Sequence, residues 1–476
     1  MFDTHRIGYI CMNYSNTIAG SAAVGEAFFD VINPATGEAF TQAPSANEAQ
    51  VDQAVRAAGE AFLQWGRSPH ADRVRRLLDF ADAIDQEHED LSRLLTIEQG
   101  KPLARARDEV RHATHYLRKL VELPLGPERL LASDGRSVEL HHRPLGVVAA
   151  ITPWNVPVLL AIWKIGHALV TGNTLLLKPA PTTPLTTLRL GEIGREIFPV
   201  GVFNVLAGGD VVGQAMIAHD AVAKVSFTGS VAVGRKVAAS AGAALKRTTL
   251  ELGGNDAAIV LKDVDIEKMA PAVFAAAFTN AGQACMAVKR VYVDESIFDS
   301  FVARLKICCD KIVVGNGLDD GVHMGPVHNR RQFDSVRSVI AEARQAGADL
   351  HVGTGALPER GFFLAPHLAI APSIELRVVH DETFGPILPV LPFRSEDDAI
   401  AAANASPFGL SGSVWTSDQE RGRRLVERLE VGSAWVNRHV DYDAHIPFGG
   451  VKCSGIGREN SVYGLRHYTE LQAVYY

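Results

Sequence analysis

Short apolar runs alternate with longer amphipathic ones along most of this chain. Residues 30–37 read as a strand that ends in the turn Asn33-Pro34-Ala35-Thr36-Gly37. Over 47–65, Val51, Ala54, Val55, Ala58 and Phe62 recur at helical spacing, and Asn47 with Gln50 three later reads as a capping box. Over 71–97, Val74, Leu77, Leu78, Ala81 and Ile84 keep that period, and Gly100-Lys101-Pro102 closes the helix. Segments 145–151 and 174–177 are uniformly apolar and short, and each is followed by turn residues and a helical pattern. Buried parallel strands look like this. The alternation continues through 202–206, 224–228 and 257–261, and a second alternating stretch runs from about 290 to 435. The pattern predicts α/β layers with parallel sheets, in two domains joined by direct crossings. Ser133-Asp134-Gly135-Arg136 reads as a hairpin-type turn between short alternating segments.

Length and composition agree with this picture and narrow it. At 476 residues the chain exceeds one ordinary core, which predicts two or three domains. Hydrophobic residues make up 47% and charged residues 21%, a globular composition without a disorder signature. The net charge is −7 and no Lys/Arg-rich block stands out, which argues against a nucleic-acid surface. Apolar stretches such as Val147–Ile151 and 156–162 fall far short of the roughly 20 residues a membrane helix needs. Residues 1–20 show neither the apolar core of a signal peptide nor an Arg-rich transit pattern. The five cysteines, Cys11, Cys285, Cys308, Cys309 and Cys453, show no pairing pattern and no metal-ligand spacing. A reduced, cytoplasmic setting is expected, with no metal site.

Three side chains carry candidate chemistry. Cys285 follows the polar, Gly-containing segment Asn280-Ala281-Gly282-Gln283, itself just after the apolar helical run 270–278. Such a loop suits presentation of a thiol into a cleft. Cys308 and Cys309 fall among Phe298, Phe301, Val302 and Leu305 and read as packing; Cys11 and Cys453 read as structural. Glu251 stands between an apolar strand end and Gly253-Gly254. It is either a solvated turn carboxylate or a general base able to activate water. Asn155, in Thr152-Pro153-Trp154-Asn155, is either a turn residue or a side-chain amide for an oxyanion. Two further features sit at strand ends. Phe227-Thr228-Gly229-Ser230 opens a helix that runs through Gly234, and Lys178 ends the run Leu175-Leu176-Leu177. Both are positions where nucleotide phosphates and ribose bind in open α/β sheets.

Together these runs resemble the NAD(P)-dependent aldehyde dehydrogenase superfamily, from about residue 30 to the end. The matching segments include Asn33-Pro34-Ala35-Thr36-Gly37-Glu38, Gln99-Gly100-Lys101-Pro102, Thr152-Pro153-Trp154-Asn155, Lys178-Pro179, Phe227-Thr228-Gly229-Ser230, Glu251-Leu252-Gly253-Gly254, Gly282-Gln283-Ala284-Cys285, Glu382-Thr383-Phe384-Gly385-Pro386 and Pro447-Phe448-Gly449-Gly450.

The resemblance implies a nucleophile at Cys285, a general base at Glu251 and an oxyanion donor at Asn155. It implies cofactor contacts from Trp154, Lys178, Gly229, Ser230, Gly234, Glu382 and Phe384, and a substrate tunnel lined by Val156, Trp163, Tyr442 and Phe448. Its fold is a Rossmann-type nucleotide domain, an α/β catalytic domain and a small β oligomerisation element. Here these would be 1–125 with 146–253, then 254–452, then 126–145 with 453–476. It implies a homodimer or homotetramer.

The implied reaction is oxidation of an aldehyde to a carboxylic acid through a Cys285 thiohemiacetal and thioester. Val156 replaces a phenylalanine common in relatives, which points to an aromatic or medium-chain aldehyde. His439, Asp441, Asp443 and His445 crowd the same loop and read either as polar surface or as a site for a cationic aldehyde. Pro181 departs from the glutamate many NAD-preferring relatives carry there; NAD is expected, with NADP left open. The alternatives are a coenzyme-A-acylating semialdehyde dehydrogenase, disfavoured by the intact Glu251, and a non-catalytic nucleotide-binding or structural protein of the same fold.

Overall fold

The structure, a computed structural model, describes residues 14–25 and 27–476. Cys11 and part of the segment on which the leader reading rests lie outside the described residues.

Two large sheets organise the chain. The first has eight strands, in the order Ser21–Ala23, Asn16–Ile18, Phe203–Val205, Thr174–Lys178, Val147–Ile151, Val222–Thr228, Arg247–Glu251 and Gly455–Ile456. Its five central strands are parallel. Their uniformly apolar sequence follows from being covered on both faces. Val148, Ala150, Leu175 and Leu177 pack into one core with helices Leu103–Leu120 and Pro157–Val170. Val147, Ala149 and Leu176 point the other way, into a core with helix Glu48–Trp65. Winding reverses between Val147–Ile151 and Val222–Thr228, so the loops after these two strands splay apart and leave a crevice at their carboxyl ends.

The second sheet has seven strands, in the order Asp349–Val352, His367–Ile370, Ile387–Phe393, Val288–Asp294, Asp256–Val260, Ser411–Trp415 and Ser433–Val436. All pairings but that of Asp349–Val352 are parallel. A three-stranded antiparallel sheet of Glu128–Leu131, Ser137–Pro144 and Thr469–Tyr475 stands apart. The expected tail element, 453–476, therefore divides. Gly455–Ile456 pairs with Leu250 and Glu251 in the first sheet, and only Thr469–Tyr475 joins the small one. The bridge Phe448↔Glu459 ties the intervening segment to the loop before it, and a fully buried Lys164–Glu459 ion pair ties it to helix Pro157–Val170.

The capping box of the first long helix forms as expected: Asn47 accepts from the Gln50 N–H, and Gln50 from the Asn47 N–H. The single helix expected over 71–97 is two, His70–Gln86 and His88–Gln99, broken at Glu87. The polar run from Asp85 to Asp90 leaves a full turn with no apolar residue to hold it on the core. Arg189 grips both Glu87 oxygens at 2.6 and 2.7 Å and fixes the break. Among the described residues no helix is long and apolar enough to cross a membrane, and no His/Cys/Asp/Glu group could hold a metal ion.

Candidate active site

The carboxyl ends of the first sheet face the amino ends of the second. Asn155 follows Val147–Ile151, Lys178 ends Thr174–Lys178, and Glu251 ends Arg247–Glu251. From the opposite side, Cys285 stands just before Val288–Asp294, and Glu382 and Phe384 before Ile387–Phe393. The expected catalytic residues thus line one cleft between the sheets.

The thiol loop is conformationally expensive. After helix Ile266–Ala277 the chain takes three successive left-handed residues, Asn280 (φ 49°), Ala281 (φ 57°) and Gly282 (φ 74°). Each non-glycine residue held there costs on the order of 1–2 kcal/mol. At Gly282 a side chain is barred twice, because a Cβ would lie 2.3 Å from the Gly385 carbonyl oxygen. Gln283 holds the loop: its Nε2 donates to the Asn280 carbonyl at 2.9 Å and its Oε1 accepts from the His328 N–H at 2.9 Å. Cys285 emerges half-buried between buried neighbours. Burial pushes its thiol up to about 12, opposed by Lys289 and reinforced by Asp256, Glu382 and Glu251. Lys289 is buried under the loop, donates to the Ala284 carbonyl, and lies 5.5 Å over the Phe384 ring.

Glu251 is buried, and neither carboxylate oxygen has a protein hydrogen-bond partner among the described residues. Burial, then the Glu459 carboxylate, raise its pKa well above the usual range, while Lys164 and Arg458 oppose them. Such a carboxyl is poised to take a proton. Asn155 is also buried. Its Nδ2 donates to the Gln283 carbonyl at 3.0 Å, two residues before Cys285. Its own carbonyl accepts from Lys101 Nζ at 2.9 Å and Asn280 Nδ2 at 3.0 Å.

The expected cofactor residues divide into two groups. Trp154 stacks on His328 with ring centroids 4.6 Å apart and planes 16° from parallel, and meets Phe384 edge-on at 5.4 Å. Glu382 Oε1 accepts from the Gly254 N–H at 3.0 Å, a close approach possible because Gly253 has no side chain. Across the crevice, helix Val231–Ala243 opens at the switch point with Ser230 as its exposed N-cap. Ser230 Oγ accepts from the Val233 N–H at 3.4 Å, and the remaining first-turn N–H groups suit an anionic ligand. At Gly234 a Cβ would meet Leu252 Cδ2 at 2.4 Å, so the position admits no side chain. Burial lowers Lys178 to about 8, and the nearby Asp210 carboxylate opposes this. An anion-ready helix start, a buried strand-end lysine and a carboxylate beside a stacked aromatic pair fit a dinucleotide.

Trp163 packs edge-on against Tyr442 at 5.7 Å and Phe448 at 5.6 Å, and Val156 joins the same apolar cluster as Cys285. Tyr116, which the sequence did not single out, stacks on Trp163 at 5.3 Å. The polar side chains of the neighbouring loop pair with one another, Arg438 with Asp441 at 2.8 Å and Asp443 with His445 at 3.0 Å. His439 turns instead to Ser413 Oγ at 2.8 Å, and burial pushes it down to about 3.

Several residues around the cleft gave little sequence signal. His328 Nδ1 donates to the Gln99 carbonyl at 3.1 Å, so Nε2 accepts from the Thr182 hydroxyl at 2.7 Å. Glu109 and Lys164 sit among apolar positions of their helices, and a charge at such a position was the available clue.

Comparison with known proteins gives a consistent result. The description "Aldehyde dehydrogenase family" matches residues 21–474. The phenylacetaldehyde dehydrogenase of Pseudomonas fluorescens is 41% identical over 461 residues, spanning 94% of this chain and 92% of its own. The NAD+ complex of an aldehyde dehydrogenase from Bacillus cereus superposes with a TM-score of 0.96 at 32% identity, covering 100% of this chain and 99% of that one. An NADP-dependent enzyme from E. coli does so with a TM-score of 0.95 at 34% identity, covering 100% and 99%.

Proposed function

Because the chain belongs to the aldehyde dehydrogenase family and is an NAD(P)-dependent oxidoreductase acting on aldehydes, we propose that Cys285, Glu251 and Asn155 carry its chemistry, with NAD as the preferred cofactor and an aromatic aldehyde as substrate. The observation that carries this reading is the convergence of a thiol, an unpartnered buried carboxylate and a fixed side-chain amide on one cleft.

The Cys285 sulfur adds to the aldehyde carbonyl as a thiolate, and the resulting oxyanion lies within reach of the Asn155 amide and the Cys285 N–H. At neutral pH the thiol starts protonated, so a base must take its proton; of the three carboxylates whose charge bears on Cys285, Asp256, Glu382 and Glu251, Glu251 is the one with neither oxygen hydrogen-bonded among the described residues. Trp154, Lys178, Ser230, Glu382 and Phe384 would hold NAD(P), which would supply the hydride acceptor for the thiohemiacetal carbon. Cys285 then carries a thioester. Glu251 removes a proton from water, the water oxygen attacks the thioester carbon, and the C–S bond breaks to free the carboxylic acid and regenerate the thiolate. The intact Glu251 supports water, not coenzyme A, as the acyl acceptor.

The aromatic box of Tyr116, Trp163, Tyr442 and Phe448 supports an aromatic aldehyde over a medium-chain aliphatic one, since edge-on ring contacts stabilise an aryl group beyond its buried area. NAD over NADP is supported by Asp210. A Cβ at Gly213 would lie 3.6 Å from Lys178 Cδ, and Asp210, three residues earlier, shares that helix face. Its carboxylate stands near Lys178 and disfavours a 2′-phosphate. Exposed Leu130, Leu131, Leu471 and Tyr475 on the three-stranded sheet support a homodimer or homotetramer. Free cysteines among the described residues accord with a reducing, cytoplasmic compartment.

The test is reduced-cofactor absorbance with a panel of aryl and alkyl aldehydes, using NAD and NADP separately and Cys285→Ala as control. Signal that disappears in Cys285→Ala, with a higher kcat/KM for aryl aldehydes, is expected. Turnover by the Cys285→Ala protein would end the assignment of the nucleophile, and equal kcat/KM for aryl and alkyl aldehydes would end the assignment of the substrate.

A further inference from the structure

Lys101 and Glu109 form an ion pair with both side chains buried, at 4% and 4% exposure. Burying two charges is costly, and a pair in this position adds little net stability over an apolar substitute. Its hydrogen bonds point to another role. Lys101 Nζ donates to the Asn155 carbonyl at 2.9 Å as well as to Glu109. The other Glu109 oxygen accepts from the N–H groups of Val158 at 2.9 Å and Leu159 at 3.3 Å, in the first turn of helix Pro157–Val170. Val156 at the N-cap makes no side-chain cap bond, so Glu109 supplies the cap from another helix.

Asn155 is therefore gripped at its backbone from both sides of the cleft, by Lys101 and by Asn280 Nδ2 at 3.0 Å. Its side-chain amide hangs from a backbone that cannot rotate without breaking one of these bonds.

We propose that the Lys101–Glu109 pair is a positioning device for Asn155, holding the oxyanion donor in register with the Cys285 loop while capping the helix that follows it. This rests on the reading of Asn155 as the oxyanion donor. An oxyanion hole works by being fixed before charge develops, and a displacement of about 1 Å can cost roughly 100-fold in rate.

The informative variant is Lys101→Met/Glu109→Gln. It removes both charges together, leaves a carbonyl to cap Val158 and Leu159, and withdraws the donor from Asn155. Asn155→Ala is made in parallel, alone and on top of the pair. The readouts are the thermal midpoint, cofactor dissociation constant, KM for aldehyde, and the single-turnover rate of reduced-cofactor formation. The double variant is expected to keep its midpoint, dissociation constant and KM while single turnover slows about tenfold or more. Adding Asn155→Ala should bring the rate no lower than Asn155→Ala alone.

Wild-type single turnover in the double variant, beside a slow Asn155→Ala, would overturn the proposal and leave the role of Asn155 standing. Wild-type turnover in Asn155→Ala would overturn both. Should the double variant unfold, Lys101→Arg decides. It keeps the ion pair but replaces the compact ammonium with a planar fork, and slower single turnover at an unchanged midpoint is expected. An unchanged rate in Lys101→Arg would refute the proposal.

Discussion

The two walls of the cleft are built on different principles. On the side of the first crevice, toward Ser230 and Asp210, the parts are generic: a helix start, strand ends and a positive φ only at a glycine, Gly208. On the thiol side, Asn280, Ala281, Gly282 and Phe384 (φ 52°) take left-handed conformations, and Asn437 (φ 56°) and Val440 (φ 58°) do so in the loop leading to Tyr442. Strain of this kind persists only where surrounding bonds over-determine it. Binding a dinucleotide needs many weak, similar contacts, whereas bond-making needs a few atoms placed to within tenths of an ångström. The energetic cost of that placement falls on the thiol side, so single substitutions there should be far more damaging.

The largest effect is expected at Glu251. In Glu251→Gln, the first burst of reduced cofactor should slow and steady-state turnover should fall by about 10²–10⁴-fold, because the thiol and the hydrolytic water both lose their base. In the wild-type protein burial holds the Glu251 carboxyl well above the usual range. Its base form is then scarce at low pH and grows as pH rises, so the deacylation rate should keep climbing through the pH window above the ordinary carboxylate value near 4.3. A flat deacylation profile over that window would remove Glu251 from the step.

Next is the strain itself. Gly282→Ala must place a methyl on the Gly385 carbonyl at a positive φ. The loop should shift, costing roughly 1–3 kcal/mol of stability and about tenfold or more in single-turnover rate, with cofactor affinity little changed. A variant with wild-type turnover would mean that the left-handed run is tolerated but not needed.

The same contrast explains how much of the molecule its sequence disclosed. Sheet strands such as Thr174–Lys178 were legible because burial on both faces forces a uniformly apolar run. Asn155, Lys178 and Glu251 were legible because they terminate such runs at glycine- or proline-bearing turns. His328, Lys289 and Glu109 were not. Each acts on a partner far along the chain, as His328 does on Gln99 and Glu109 on Val158, and local periodicity carries no record of that. The break at Glu87 was missed because the apolar spacing resumes at Leu91 beyond the polar run, and Arg189, which fixes the break, lies in another helix. The packing against Gly234 was not legible because its partner, Leu252, lies in another segment.

The smallest effect is expected on the generic wall. Asp210 is exposed at the start of its helix, near the strand-end Lys178. Pro181 stands where many NAD-preferring relatives carry a carboxylate, which leaves Asp210 as the acidic group that would discriminate against a 2′-phosphate. An exposed charge acting through solvent is worth little, so Asp210→Asn should shift the NADP-to-NAD ratio of dissociation constants by only about three- to fivefold in favour of NADP. The shift should shrink as salt is raised, since exposed charges are screened over about 8–10 Å at physiological ionic strength. Fluorescence titration of both cofactors at two salt concentrations measures it, with aldehyde absent so that binding alone is read. An unchanged ratio would remove Asp210 from cofactor choice. A loss approaching that of Glu251→Gln would break the larger contrast, because it would show a single side chain on the generic wall to be as finely placed as those around the thiol.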